Sequence, residues 1–475
     1  MNVAITVQVT IGTLLVALAL PAEAQSTLRA APTSTVADTA VPSLLPLTRD
    51  SISPKPDDAG TAARALLHRP VELQHTRAAD KRGLNVFETP KDDDVPFTGM
   101  RLVWGGAFTQ QFQGLAHSNT ADPRMTAGTD ANRLIGIGHG FNNAVANLDL
   151  GVQLAPGLRV AMTTYASARH HQETWVKDGY FQLDASPIDQ PILNMLMQIL
   201  TVKVGHFEIN YGDQHFRRSD NGNTVHNPFV GNLLMDAFTT EIGAEVYARL
   251  EGVFAMAGMT GGEVHGQVTA PEKRSPTYLG KLGYDEQLRP DLRVRMTGSL
   301  YRTAHSASNT LYSGNRAGAR YYDVLENTSS SETTNAWSGD VRPGMSDNIT
   351  AVVLNPFVKR GGIELFGTIE QAKGKAVTET SDRTWHQFAG EAVYRFTTDE
   401  RLYVGGRYNV ATGRLAAIDN DVSVNRAQMA LGWFITPALL AKAEWVVQRY
   451  TDFPVTDIRH GGRFSGFMME GAVAF

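Results

Sequence analysis

The chain ends on an alternation that few folds can accommodate. Counting back from Phe475, every second residue is Val473, Gly471, Met469 and Phe467, and the residues between are Ala474, Ala472, Glu470 and Met468. A period of two belongs to a β-strand, whose successive side chains point to opposite faces. One face here is apolar and ends at an aromatic ring; the other carries a carboxylate. Such a strand fits a wall with hydrocarbon outside and water inside.

The same pattern runs from Met100 onward. Leu102, Trp104, Gly106 and Phe108 share a face opposite Arg101, Gly105, Thr109 and Gln111. Ala144, Ala146, Leu148, Leu150, Val152 and Leu154 oppose Asn143, Asn147, Asp149 and Gln153, and an Ala155-Pro156-Gly157 turn follows. Leu158, Val160, Met162 and Thr164 then oppose Arg159, Thr163, Tyr165 and Arg169. Alternating runs joined by tight turns predict antiparallel hairpins. Further strands are expected near 173–184, 200–211, 237–249, 250–262, 276–287, 291–304, 346–358, 361–375, 384–396, 400–413, 421–435, 438–451 and 463–475. With the first three that makes about sixteen, an even number as single-chain bacterial barrels require.

The connections sort by parity. One set is short: Ala155-Pro156-Gly157, Leu250-Glu251, Arg289-Pro290-Asp291, Arg360-Gly361, Thr397 to Glu400 and Thr436-Pro437-Ala438. The other set spans 114–142, 212–236, 263–275, 305–345 and 452–462 and is mostly long. Short periplasmic turns and long extracellular loops are the barrel arrangement. Residues 185–199 break the rule, and Asp189 with Pro191 predicts a small helix there. An open sheet edge in hydrocarbon leaves N–H and C=O groups unpaired, so the first strand must pair with the last. The fold class expected is therefore all-β, a transmembrane antiparallel β-barrel over 99–475.

At the other end, an apolar run from Ile11 to Leu20 precedes Pro21-Ala22-Glu23-Ala24. That order predicts a signal peptide over 1–24, although no Lys or Arg precedes the run. No later stretch reaches eighteen apolar residues, so no transmembrane helix is expected. Residues 25–98 are rich in Ala, Thr, Ser, Pro and Asp without a sustained period, as in Ser53-Pro54-Lys55-Pro56-Asp57-Asp58. They read as a disordered periplasmic leader, with a short helix over Thr61 to His68. Such a leader either tethers, binds a periplasmic partner or plugs the pore. The chain has no cysteine, which excludes disulfides and thiolate chemistry. A net charge of −5 argues against nucleic acid as a partner.

Alternation also assigns an inner face. Arg159, Glu241, Glu245, Arg293, Arg295, Glu364, Glu370, Glu391, Arg395, Arg407, Arg426, Lys442, Glu444 and Glu470 fall on it. A charge on the lipid face at mid-membrane costs roughly 2–4 kcal/mol, so these belong inside. Arg159, Arg293, Arg295, Arg407, Arg426, Lys442, Glu245 and Glu444 are the candidate pore-lining residues. Two readings stay open: opposite charges pairing across strands, or an arginine ladder that draws anions. Tyr and Trp near strand ends (Trp175, Tyr180, Tyr301, Tyr321, Tyr322, Trp385, Tyr394, Tyr408, Trp433, Trp445 and Tyr450) are candidates for aromatic girdles. Loop 305–345, rich in Ser, Thr, Asn and Gly, is expected to be extracellular and variable in conformation.

No G-x-S-x-G elbow and no H-E-x-x-H occurs. Gly136-Ile137-Gly138 lies in a loop, outside any strand-to-helix turn that a nucleotide fingerprint needs. His170-His171 reads as a surface pair. Scattered His139, His215, His226 and His386 leave rim catalysis open. No cofactor, no metal and no catalytic residue is assigned.

The closing strand with terminal Phe475 resembles the last strand of Gram-negative outer-membrane barrels, and residues 99 to 475 look like the porin superfamily. Val202-Lys203-Val204-Gly205-His206-Phe207 is similar to a V-G-x-F stretch of phosphate-selective porins. The resemblance implies an outer-membrane location amid lipid and lipopolysaccharide, and assembly by machinery that reads Phe475. It also implies passive diffusion of small hydrophilic solutes with a mild anion preference, and a homotrimer by analogy. In such porins the third extracellular connection folds inward, which makes 212–236 a constriction loop carrying His215, Arg217 and Arg218. The alternatives are an outer-membrane barrel enzyme of lipase or protease type, an adhesin working through its loops, and a periplasmic all-β binding protein.

Overall fold

The structure, a computed structural model, describes residues 73–475 apart from 90, 92–94, 169–173, 267, 315, 317, 319 and 332–337. The expected signal peptide, leader residues 25–72 with the Thr61–His68 helix, and His170-His171 lie outside the described residues.

Sixteen antiparallel strands form one closed wall. They are β1 (Arg101–Ser118), β2 (Val145–Ala155), β3 (Leu158–Ser167), β4 (Thr174–Leu183), β5 (Leu200–Glu208), β6 (Thr240–Leu250), β7 (Val253–Thr260) and β8 (Thr277–Arg289). The wall continues through β9 (Leu292–Thr303), β10 (Ile349–Arg360), β11 (Ile363–Gly374), β12 (Arg383–Phe396), β13 (Leu402–Gly413), β14 (Val422–Thr436), β15 (Leu439–Thr451) and β16 (Arg463–Ala474). Each strand pairs with its sequence neighbour. β1 closes the ring: its first half pairs with β2, Arg101 opposite Gln153, and its second half with β16, from Ala107–Ala474 to Ser118–Arg463. Among the described residues every wall strand is paired on both sides over at least part of its length, as a sheet in a membrane requires.

The turns obey the expected parity. β2 and β3 are joined at Gly157, whose φ is +66°. A Cβ there would collide with the Ala185 backbone, so a glycine is needed on two counts. The predicted helix is present as α1 (Pro191–Met197), with its proline at the helix start, where the missing N–H costs nothing.

The two faces separate as alternation requires. On β14 Met429 is 70% exposed on the outside while its neighbour Gln428 is 2% exposed on the inside. Ile363, Leu365 and Ile369 face out from β11, and Glu364 and Glu370 face in. Every charged residue assigned inward from the sequence is inside, Arg293 alone being half-buried. The aromatic girdle is smaller than expected. Tyr394, Tyr408, Trp433 and Trp445 face lipid, whereas Tyr301, Tyr321, Tyr322, Trp385 and Tyr450 are buried inside. On β12 the reason is parity: Trp385 shares the inward face of Glu391 and Arg395, Tyr394 the outward one.

A closed wall with an apolar exterior and a charged interior is an outer-membrane barrel. No described helix is long and apolar enough to cross a membrane.

Candidate functional site

The candidate site is the lumen, and most of it is occupied by the chain itself. A sixteen-stranded ring is too wide for its own side chains to fill. Three segments enter it.

The first is the connection between β5 and β6, residues 209–239. It folds inward and lies against the wall from β6 to β15. It forms almost no regular structure, so its backbone polar groups need partners, at about 1–3 kcal/mol for each buried group left unpaired. Wall side chains supply them. Lys442 Nζ donates to the carbonyls of Thr224, Asn227 and Phe229 at 3.0, 3.1 and 3.0 Å. Arg407 donates to Gly231 O and Arg426 to Asn232 O, both at 2.7 Å. Glu444 accepts from Val230 N and Gln387 from Met235 N, both at 2.8 Å, and Asn409 accepts from Leu234 N at 2.6 Å. Glu245 accepts from Asn210 N at 2.8 Å. Arg295 from β9 grips Asp213, which Lys281 also approaches at 2.7 Å.

The second is the β9–β10 connection, residues 304–348. Its described part caps the outer mouth and also reaches in: Leu311, Tyr312, Tyr321, Val324, Val341 and Met345 are buried with the wall residues. Tyr321 donates to Glu444 and Tyr312 to Glu370, at 2.5 and 2.6 Å. The aromatic and aliphatic side chains in a Ser/Asn-rich segment gain by leaving water.

The third is the end of the leader. Its residues from Leu73 are packed into the periplasmic mouth rather than trailing away from it. Glu88 sits between Lys281 at 2.9 Å and Arg295 at 2.7 Å. Phe87 packs against Phe216 and Phe357 with ring centroids 5.7 and 5.4 Å apart. Asn85 donates to Glu364 at 2.7 Å and accepts from Arg217.

Neighbouring wall charges neutralise one another. Arg395 meets Glu364 at 2.6 Å, Arg407 meets Glu391 at 2.9 Å, Lys442 meets Glu470 at 2.5 Å and Arg293 meets Asp285 at 2.7 Å. This is the cross-strand pairing of the sequence reading. The arginines of β9 and β12 to β14 hold protein segments.

What remains open is a cavity of about 750 Å³ along the opposite wall. Asp149, Arg159, Thr163, Lys177, Asp178, Tyr180, Gln182, Thr201 and Lys203 border it from β2 to β5. His215, Phe216, Arg218 and Asp220 border it from the inward loop, and Thr76, Arg77, Phe87 and Glu88 from the leader end. Of the candidate pore-lining residues, Arg159 reaches this cavity; Arg293, Arg295, Arg407, Arg426, Lys442, Glu245 and Glu444 point inward but lie under the loop or the leader end. Of the three loop residues, His215 and Arg218 border the cavity, while Arg217 is turned to Glu364 and Glu391 at 3.8 and 3.3 Å. Burial, with Lys281 and Arg218 close by, holds the His215 pKa well below its usual value, so the ring adds no charge at neutral pH.

Alternation places Lys203 inside and a bulge in β4 turns Lys177 inside; neither is among the candidates assigned from the sequence. Lys177 lies in a bulge of β4 and meets Glu208 at 2.7 Å, Asp220 at 2.8 Å and Asp178 at 3.5 Å. Lys203 lies over the rings of Tyr180 and Phe207, 4.4 and 4.3 Å from their centroids. Among the described residues it has no carboxylate partner. Its signal was in the sequence, a lysine at an inward position of 200–211. His215 and His226 share the inward loop, whereas His139 contacts Phe467 on the outside and His386 faces outward on β12.

An outer-membrane β-barrel of porin architecture is what this wall and inward loop define. No protein-family model matches the chain, and no curated protein does. Among solved structures the chain is similar to the anion-selective porin from Comamonas acidovorans at 12% identity and a TM-score of 0.48, covering 79% of this chain and 100% of that one. It is similar to Pseudomonas putida OprB at 12% identity and a TM-score of 0.46, covering 79% and 94%. It is also similar to OmpT of Vibrio cholerae at 10% identity and a TM-score of 0.45, covering 80% and 99%. At such identities no lumen side chain acquires a role from these likenesses.

Proposed function

We propose that the barrel is a porin: small hydrophilic solutes diffuse through the space between β2–β5 and the inward loop, without energy input. The observation that carries the reading is the cavity, bordered by Asp149, Arg159, Lys177, Asp178 and Lys203, along one wall of the closed barrel. Solute contact is assigned to Arg159, Lys177, Lys203, His215 and Arg218, with Asp149, Asp178 and Asp220 opposing them. Purified protein in planar bilayers should give discrete conductance steps. Stable insertion without any steps would overturn the reading in favour of a role carried by the outer loops.

The mild anion preference is a finer reading, and Lys203 supports it. Lys177 and Arg218 are neutralised by carboxylates within 4 Å, whereas Lys203, beside the Tyr180 and Phe207 rings, has no carboxylate partner among the described residues. Replacing Lys203 by Met should shift the reversal potential in a salt gradient towards cations. An unchanged reversal potential removes the preference.

A further inference from the structure

The end of the leader is held differently from every other segment in the lumen. Residues Leu73–Thr89 cross the periplasmic mouth and touch opposite sides of the rim. Gln74 N donates to the Gln153 side chain on β2 at 3.1 Å, and Gly157 N donates to Gln74 at 3.0 Å. On the far side Lys81 N donates to Pro437 O between β14 and β15 at 2.9 Å. Among the described residues that is its one backbone-to-backbone bond to the barrel; the rest are side-chain contacts. The β1–β16 seam and every other strand pairing of the wall are made without it. Its departure therefore breaks no strand pairing.

Its ionic anchor is also backed up. Glu88 binds Lys281 and Arg295, but Asp213 of the inward loop binds both as well, at 2.7 and 2.8 Å, and Asp285 meets Arg295 at 2.9 Å. When Glu88 withdraws, neither cation is left bare. Buried charges stripped of all partners are what makes removal of such a group prohibitive, and that penalty is absent here. Leu73 and Phe87 are the large apolar side chains of the segment that are buried in the mouth, and Arg77, Phe87 and Glu88 form one boundary of the cavity.

We propose that Leu73–Thr89 is a displaceable plug, which throttles the lumen from the periplasmic side and opens a wider passage when it swings out. The proposal rests on the pore reading above. The lumen itself is unchanged by the motion: the inward loop stays on its wall, and the cavity becomes continuous with the mouth.

The chain has no cysteine, so a pair can be introduced without interference. Lys81→Cys with Pro437→Cys places the pair where the plug and rim backbones are already bonded, Lys81 N to Pro437 O at 2.9 Å. In planar bilayers the reduced double variant should switch between a small and a several-fold larger step. Oxidation should abolish the larger step, and reductant should restore it. Glu88→Gln in the full chain should lengthen the time spent in the larger step. Identical step distributions in oxidised, reduced and Glu88→Gln protein overturn the plug while leaving the pore standing. Absence of conductance in all of them overturns the pore and the plug together.

Discussion

Arg295 holds Asp213 through both carboxylate oxygens, with Nε to Oδ2 and Nη2 to Oδ1 at 2.8 Å each. This fork fastens the start of the inward loop to β9. Planar two-point pairing is the strong form of a charged hydrogen bond. Burial would raise the Asp213 pKa, but Lys281 and Arg295 outweigh it and hold the carboxyl below its ordinary range.

Neutralising that carboxylate should therefore loosen the loop. Asp213→Asn leaves Lys281 and Arg295 with less counter-charge in a buried site, and breaking such a pair costs about 3–5 kcal/mol. Glu88 remains to offset part of it, so the lower figure is expected. Urea unfolding in lipid vesicles measures this; an unmoved midpoint contradicts the assigned role.

Lys442 should matter through the groups it satisfies. Lys442→Met takes the cation from Glu470, which keeps Gln111, and the donor from the carbonyls of Asn227 and Phe229, so a loss at the lower end of about 3–5 kcal/mol is expected. Adding Glu470→Leu removes the stranded charge and should recover part of the loss. A double variant no better than the single would mean the carbonyls, not Glu470, dominate.

The outer surface makes a separate prediction. Met429 faces lipid at mid-strand on β14. Met429→Arg should cost about 2–4 kcal/mol and lower the yield of folded barrel in vesicles, while Met429→Leu should be neutral. Equal yields for the two would mean that β14 does not face acyl chains.

Gly432 lies beneath the Tyr403 ring, where an added Cβ would overlap the ring carbons. Gly432→Ala is expected to destabilise by about 1–3 kcal/mol through overpacking, seen as a lower thermal midpoint. An unchanged midpoint would show that Tyr403 moves aside freely despite its bond to Pro228 O.

Acidity should tighten the outer cap. Burial pushes the Glu326 pKa up to about 7; Arg342 opposes this, and Asp340 and Asp323 reinforce it. A carboxyl whose folded pKa lies above its unfolded value binds more protons when folded. Cap stability should therefore rise as pH falls through 7 and level off below the unfolded value near 4.5. Ile135 N donates to Glu326 O at 3.0 Å, so exchange of that amide reports the effect. Glu326→Gln should remove the pH dependence; its persistence would assign the effect elsewhere.

The strands were legible because a lipid-facing wall imposes a strict two-residue rhythm. A slip by one residue would turn Arg426 or Glu444 into hydrocarbon, so the register was legible too. Pro191 gave away α1 by fixing its start. The filling of the lumen was not legible in the same way. A Ser/Asn/Gly-rich segment has one composition whether its backbone bonds to water or to Lys442 and Arg407. The signal that was available is the apolar content of those segments: Phe229-Val230, Leu233-Leu234-Met235 and Tyr321-Tyr322 are too greasy for water. Phe87 beside Glu88 carried the same message in the leader. The arginines were placed on the correct face, but alternation gives a direction and not a neighbour. Arg426 looked the same whether it met solute or Asn232 O.

The seam between β1 and β16 pairs Ala107 with Ala474 and Ser118 with Arg463. The cylinder therefore cannot seal until β16 has been made and exported. Residues 209–239, bonded to the inner wall by Lys442, Arg407 and Arg426, are expected to lie within the curl by then, since a sealed ring admits them only end-on. Insertion into the bilayer and furnishing of the interior are in that sense a single event, and a mutant that delays the third connection should accumulate as an unsealed, protease-sensitive sheet rather than as an empty tube.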